Sequence, residues 1–227
     1  MGNFGVLFLY PMSIKIYNPK LADEIAADLL KIGAIKLSPE KPFTWASGWK
    51  SPIYCDNRLS LSFPDVRSKI KTALSLAISN SFDGIDVIAG VATAGIPQGA
   101  LVAEDLGLPF IYVRSKSKGH GLQNMIEGKI DKGQKVLLIE DLVSTGGSSL
   151  AAAEALREAG AEVVGMMAIF TYGFQVSEDN FQEKGVNLVV LSDYNHLLDH
   201  AQDERMFENE VLKTLKEWRE NPGNWKS

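Results

Sequence analysis

Residues 135–149 read KVLLIEDLVSTGGSS, and this stretch decides the fold of the chain. The apolar run Lys135-Val136-Leu137-Leu138-Ile139 is typical of a strand buried on both faces. An alanine-rich helical pattern begins after Ser148. Gly146-Gly147 allow the backbone to turn sharply between these elements and to approach a ligand closely. The stretch therefore predicts a strand, a tight turn and a helix, the arrangement that binds phosphate groups at a helix start.

The side chains around this turn indicate what kind of phosphate it would bind. Hydroxyl groups and free N–H groups at the helix start would form a nest for a dianionic phosphate; the hydroxyls are those of Ser144, Thr145 and Ser148. Glu140 and Asp141 would repel a phosphate in that nest, so we interpret them as acceptors for ribose hydroxyls. In the alternative interpretation, the two acids merely end a strand while Ser148 caps a helix. The dinucleotide pattern GxGxxG and the Walker pattern are both absent. A phosphorylated ribose is the ligand that this turn favours.

Outward from the turn, short apolar runs alternate with helical patterns. The predicted strands are Val87–Ala89, Phe110–Val113, Val136–Ile139, Val163–Phe170 and Leu188–Leu191. The predicted helices are Leu21–Ile32, Asp65–Ser79, Ile96–Asp105, Ser148–Ala159, Val176–Lys184 and Glu208–Arg219. This alternation predicts an α/β fold with a mostly parallel central sheet flanked by helices. In such a fold, ligands bind at the carboxyl ends of the strands.

Composition narrows the class of protein further. The chain has 227 residues, 45% of them apolar, and a formal charge of −5. This composition lacks the net positive charge that is typical of nucleic-acid-binding domains, so we predict no nucleic-acid partner. Its single cysteine, Cys55, cannot form an intrachain disulfide, which favours a cytoplasmic location. No apolar stretch reaches the roughly 20 residues that span a bilayer, so we predict no membrane partner. We interpret residues 1–20 as an N-terminal extension, with Met12 as an alternative start, and residues 21–227 as one domain.

The segment around the turn resembles the phosphoribosyl diphosphate (PRPP) motif of the type I phosphoribosyltransferases. The resemblance implies the fold of that family, with a small N-terminal hood formed by about residues 21–60 and the C-terminal region. It also implies a set of residues that bind PRPP. These are Arg114, Lys118, His120, Glu140, Asp141, Leu142, Val143, Ser144, Thr145, Gly146, Gly147 and Ser148.

Three further segments resemble the orotate phosphoribosyltransferases. Residues 43–58 (FTWASGWKSPIYCDNR) resemble the N-terminal signature of that family, and residues 112–121 (YVRSKSKGHG) resemble its mobile catalytic loop. Residues 90–97 (GVATAGIP) look like its diphosphate loop. Together with the turn, the resemblance runs from about residue 21 to residue 193. By this resemblance, Ser144, Tyr54 and Cys55 would contact orotate, although Tyr54 could equally be an ordinary half-buried aromatic residue.

The cations of the loop at residues 112–121 suit chemistry on a diphosphate. Arg114, Lys116, Lys118 and His120 lie within seven residues, next to the flexible Gly119 and Gly121. A solvated basic loop is the alternative. In the family this loop reaches into the site of the neighbouring subunit, which implies a homodimer with shared active sites.

Four positions depart from the family pattern. Lys116 is offset from it, and Ser115 stands where some members carry a lysine. Ala46 and Ala94 stand where some members have a lysine that contacts PRPP or its diphosphate. Those cationic roles are either lost or taken over by Lys50 and Lys116, and the sequence leaves this open.

The implied reaction is transfer of the phosphoribosyl group from PRPP to orotate, with Mg²⁺, giving orotidine 5′-phosphate and diphosphate. Its catalytic residues would be Asp141, Glu140, Lys118 and His120; no protein ligand for the metal is predicted. Two alternatives remain: a salvage transferase for another base, and a PRPP-sensing regulator without catalysis. His196 and His200 could share a helix face as metal ligands do, but without a third ligand we interpret them as solvated or capping residues.

Overall fold

The computed structural model describes residues 14–45, 48–114 and 125–225. Its central element is a seven-stranded sheet with the order β1-β11-β10-β9-β6-β7-β8. The strands are β1 Lys15–Ile16, β6 Val87–Val91, β7 Phe110–Val113, β8 Ile126–Glu127, β9 Lys135–Val143, β10 Glu162–Thr171 and β11 Leu188–Asp193. All neighbouring strands are parallel except β7 and β8, which are antiparallel. The predicted mostly parallel sheet is therefore confirmed.

Seven helices accompany the sheet in the described part of the chain. They are α1 Pro19–Lys31, α2 Pro64–Ser81, α3 Gly95–Leu106, α4 Gly147–Glu158, α5 Gln175–Glu183, α6 Tyr194–Asp203 and α7 Asn209–Glu220. The first begins at Pro19 because the side chain of Asn18 accepts a hydrogen bond from the N–H of Leu21. Six of these helices match the predicted ones to within two residues, and α6 was not predicted.

The helices cover both faces of the sheet. Buried residues of α1, α2, α6 and α7 pack on one face and include Leu29, Leu74 and Trp218. The other face is covered by α4 and α5, for example through Leu156 and Phe181. Because both faces are covered, the strands are apolar runs with little alternation.

Two small antiparallel sheets, which we call the hood, lie between α1 and α2. They pair β2 Ile35–Leu37 with β5 Ile53–Cys55, and β3 Phe43–Thr44 with β4 Lys50–Ser51. A 3₁₀ helix, Asn57–Ser62, then leads into α2. The C-terminal helix α7 is tied to the hood, because the indole N–H of Trp218 donates to the carbonyl of Lys50 at 3.2 Å.

Two details differ from the sequence interpretation. Lys15–Ile16 pair with β11 and Pro19 begins α1, so part of the predicted N-terminal extension belongs to the folded domain. In addition, β9 continues through the acid pair to Val143, because the backbone of β10 continues alongside it as far as Thr171. In the described residues, no helix is long and apolar enough to cross a membrane.

Candidate active site

The turn between β9 and α4 lies at the carboxyl edge of the sheet. Gly146 has a left-handed backbone with φ of 83°, and α4 begins at Gly147 without a side-chain cap. The first N–H groups of α4 therefore have no capping side chain and can bind an anion. The turn is fixed from α5, since the amide of Asn180 donates to the carbonyl of Thr145 at 2.9 Å. Val143 is buried, whereas Ser148 is exposed.

The two carboxyl groups at the end of β9 are largely withdrawn from solvent. The two oxygens of Glu140 accept hydrogen bonds from the hydroxyl of Ser149 at 2.9 Å and from the N–H of Asp141 at 3.0 Å. Burial, together with the neighbouring Asp141 carboxylate, raises the pKa of Glu140 well above its usual range. Burial also raises the pKa of Asp141. Since two adjacent carboxylates here repel each other, a polyol that donates hydrogen bonds to them would be a stabilising ligand.

The backbone of Asp141 is held by a side chain from the 3₁₀ helix. The amide of Asn57, which is buried, donates to the carbonyl of Asp141 at 2.7 Å. Its own oxygen accepts from the thiol of Cys55 at 3.3 Å. Asn57 and Ser149 lie inside the quoted sequence segments, but neither received a role there, because the hydrogen bonds that they donate to Asp141 and Glu140 show only in the folded chain.

Replacing Asn57 with Ala should lower both stability and activity. The carbonyl of Asp141 would lose its hydrogen-bond donor, which costs about 1–3 kcal/mol of the free energy of unfolding. Turnover should fall as well, because the acid pair is no longer held in place. Urea unfolding and steady-state kinetics measure the two effects. Asn80→Ala is the control, since its amide bonds the hydroxyl of Tyr17 at the surface; equal losses in both variants would contradict the positioning role.

The loop after β6 adjoins the acid pair. A Cβ atom on Gly95 would lie 3.4 Å from the Cα of Glu140 and would collide with the carbonyl oxygen of Ile139. The start of α3 therefore packs directly against the end of β9. Ala94, the position that lacks the family lysine, is the residue immediately before this helix. The predicted diphosphate loop and the predicted ribose-binding acids are thus neighbours.

Arg114 follows β7, which is separated from β9 by β6. Its guanidinium lies 3.4 Å from a carboxylate oxygen of Glu127 on β8. Two of the predicted catalytic residues, Lys118 and His120, lie outside the described residues, as do Lys116 and Ala46. The structure therefore locates only the first cation of the predicted catalytic loop.

A cavity of about 310 Å³ opens beside the turn. Residues of the hood, of β9 and of the segment after β10 surround it; they are Thr44, Trp45, Tyr54, Cys55, Leu142, Ser144 and Tyr172. The three predicted orotate-binding residues thus surround one cavity, although about ninety positions separate Cys55 from Ser144 in the chain. Burial and the nearby carboxylate of Asp141 raise the pKa of the Cys55 thiol well above its usual value. The thiol is therefore protonated at neutral pH and is a poor nucleophile.

Aromatic rings form the back wall of this cavity. The ring centroid of Tyr172 lies 5.1 Å from that of Trp45 and 5.8 Å from that of Trp218. Burial raises the pKa of Tyr172 well above its usual value, so its phenol stays neutral. Sequence reasoning missed Tyr172. Its position directly after the strand beside β9 was the available signal, because neighbouring parallel strands end at the same edge.

His196 has a local role in the described residues. Asp193 accepts from its backbone N–H at 2.9 Å and lies 2.7 Å from its ring nitrogen. This is a helix cap at the start of α6. No group of three or more metal-ligating side chains occurs within the described ranges.

Comparison with known proteins adds independent findings. The family described as "Phosphoribosyl transferase domain" matches residues 64–197. The chain is 58% identical over 203 residues to an orotate phosphoribosyltransferase of Cytophaga hutchinsonii, covering 89% of this chain and 97% of that one. It is 56% identical to the orotate phosphoribosyltransferase of a Listeria monocytogenes strain, covering 89% and 97%. A crystal structure of orotate phosphoribosyltransferase from Aeropyrum pernix superposes with a TM-score of 0.70 at 28% identity, covering 81% of this chain and 99% of that one.

Proposed function

Because this chain belongs to the orotate phosphoribosyltransferase family, we infer that it transfers the 5-phosphoribosyl group of PRPP to orotate. The products are orotidine 5′-phosphate and diphosphate, a step in the biosynthesis of pyrimidines. The observation that best supports the substrate pair is the position of Ser144. It belongs to the phosphate turn and also lines the cavity beside it, so a ribose phosphate and a planar base would meet there.

The described residues suggest how the site works on PRPP. The N–H groups at the start of α4 would bind the 5-phosphate. The carboxyl groups of Glu140 and Asp141 would accept hydrogen bonds from the ribose hydroxyls and stabilise positive charge that develops on the ring. The loop at Ala94-Gly95 would approach the diphosphate. No covalent nucleophile is required, in agreement with the raised pKa of Cys55.

We also propose that the reaction requires Mg²⁺. Glu140 and Asp141 are the acidic residues next to the phosphate turn. Magnesium at such a site would be held mainly by substrate phosphates and water. When bound, Mg²⁺ would neutralise charge on the leaving diphosphate.

A spectrophotometric assay tests the proposed reaction. The absorbance of orotate should fall only when both PRPP and Mg²⁺ are present, and EDTA should stop the change. Adenine, hypoxanthine and uracil, offered in place of orotate, should give no product. Turnover of one of those bases but not of orotate would assign the chain to salvage, and binding of PRPP without turnover would indicate a regulator.

We further propose a homodimer in which the loop carrying Lys118 and His120 completes the site of the other subunit. Lys118→Ala and Asp141→Asn should each be nearly inactive alone. Mixed dimers would contain one intact composite site, so random subunit exchange should recover about a quarter of wild-type activity. Recovery is measured after mild denaturation and refolding of the mixture. An inactive mixture whose mixed dimers have been verified would contradict the shared site.

A cytoplasmic location stays a prediction.

A further inference from the structure

The hood carries a cation that is hydrogen-bonded to a lining residue of the base cavity. Lys50 opens β4 and stands opposite Thr44 in register. Its ammonium donates to the hydroxyl of Thr44 at 2.8 Å, and Thr44 lines the cavity. On its other side, the carbonyl of Lys50 accepts the indole N–H of Trp218. The lysine backbone is therefore anchored to α7, while its ammonium is one hydrogen bond away from a residue that lines the cavity.

The cavity itself supplies no positive charge in the described residues. Its seven lining residues are all uncharged. Asp141 and Asp56 lie near its floor, where their negative charge contributes to the raised pKa of Cys55. The nearby Arg58 is already paired with Asp56, at 2.6 Å. Orotate is uracil with a carboxylate on the carbon beside the reacting nitrogen. The uncompensated charge of Asp141 would disfavour an anionic base unless a second cation bound the carboxylate of that base.

Resting on the proposed function, we propose that the ammonium of Lys50 binds the carboxylate of orotate and thereby sets the preference for orotate over uracil. Within residues 14–45, 48–114 and 125–225, no carboxylate forms an ion pair with Lys50, so its charge is available to a ligand. Thr44 can accept from the ammonium and donate to the carboxylate at once, which would fix the geometry of the contact.

A matched pair of ligands isolates this contact. Orotidine 5′-phosphate and uridine 5′-phosphate differ only by the carboxylate on the base. For Lys50→Met, calorimetry should show the Kd of orotidine 5′-phosphate raised about tenfold, because a hydrogen bond to a charged group is lost. The Kd of uridine 5′-phosphate should stay unchanged. Lys50→Arg keeps the charge and should retain most of the preference.

Steady-state kinetics supplies the second readout. In Lys50→Met the KM for orotate should rise about tenfold while the KM for PRPP and the turnover at saturating orotate stay near wild type. Lys41→Met, an exposed lysine of the same hood, is the control and should change neither constant. High salt should weaken orotate binding in wild type more than in Lys50→Met, since the contact is electrostatic and exposed.

The contrary outcomes are distinct. Equal weakening of both nucleotides would mean that the substitution disturbs the hood, and no weakening of either would mean that Lys50 does not contact the base. A rise in the KM for PRPP alone would assign Lys50 to the diphosphate. Each of these would overturn the proposal. Failure of the proposed function is visible separately, as wild-type protein that does not convert orotate.

Discussion

Replacing Asp141 with Asn should lower turnover by about a hundredfold or more, because it removes a charge that stabilises the transition state. The amide has the same shape as the carboxyl group but cannot balance positive charge on the ribose ring. The carbonyl of Asp141, which Asn57 holds, is untouched by the substitution. Steady-state kinetics with saturating orotate and PRPP measures the effect. Asp131→Asn, at an exposed carboxylate paired with Lys129, is the control and should retain wild-type turnover.

The same substitution should leave the fold intact and should make its stability depend less on pH. Burial raises the pKa values of Glu140 and Asp141, so the native state holds protons that the unfolded chain releases above about pH 4. The contribution of this pair to the free energy of unfolding therefore falls as pH rises from about 4 through the raised pKa values of the native state. Asp141→Asn removes one of the two charges. Its free energy of unfolding should therefore exceed that of wild type by an amount that grows with pH and vanishes near pH 4. Thermal unfolding across pH tests this; a variant less stable than wild type at neutral pH would mean that Asp141 mainly supports the fold.

Gly146→Ala should cause the largest loss of stability among substitutions in the phosphate turn. Its φ of 83° is left-handed, and an added Cβ would lie 2.7 Å from a ring carbon of Phe181. Together the backbone strain and the overpacking should lower the free energy of unfolding by about 2–4 kcal/mol. The KM for PRPP should rise too, because the turn must shift to relieve the collision.

Gly147→Ala is a matched control for this prediction. Its φ is not left-handed, and an added Cβ would meet only the hydroxyl oxygen of Thr145, at 4.0 Å. Urea unfolding should therefore show a change of less than about 0.5 kcal/mol. Adding Phe181→Leu to Gly146→Ala should recover part of the loss by relieving the collision. Equal stability of the two alanine variants would contradict the strain that the backbone conformation implies.

The sheet could be predicted from the sequence because its strands are buried on both faces. Runs such as Val136–Ile139 are then continuous apolar stretches, and their neighbours along the chain are amphipathic helices. The hood strands could not be predicted, since each has only two or three residues and depends on its partner strand. Helix α6 was also missed: it begins directly after β11, and its cap residue Asp193 is the last residue of that strand.

The residues of the candidate site likewise fall into those that the sequence could predict and those that it could not. The turn, the acid pair and residues 54 and 55 could be predicted because each lies in a contiguous segment with a characteristic pattern. Tyr172 and Asn57 could not, because each acts together with a residue that is distant in sequence. Ser149 lies in the same stretch as Glu140, but its hydrogen bond to that side chain shows only in the structure. The surroundings of the acid pair also needed the structure: the sequence suggested two acceptors for ribose hydroxyls, and the structure shows that Glu140 is buried and bonded to Ser149. Its availability to ribose stays a prediction.

The late position of Trp218 in the chain has a consequence for the order in which the two binding subsites form during synthesis of the protein. The phosphate turn is complete once residues up to about 181 have left the ribosome, since Asn180 and Phe181 support it. Tyr172, which lines the base cavity, packs against Trp218, and Trp218 emerges later. A nascent chain should therefore acquire its sugar-phosphate subsite before its base subsite, and ribosome-bound chains that end before residue 218 should bind PRPP more readily than they bind orotate.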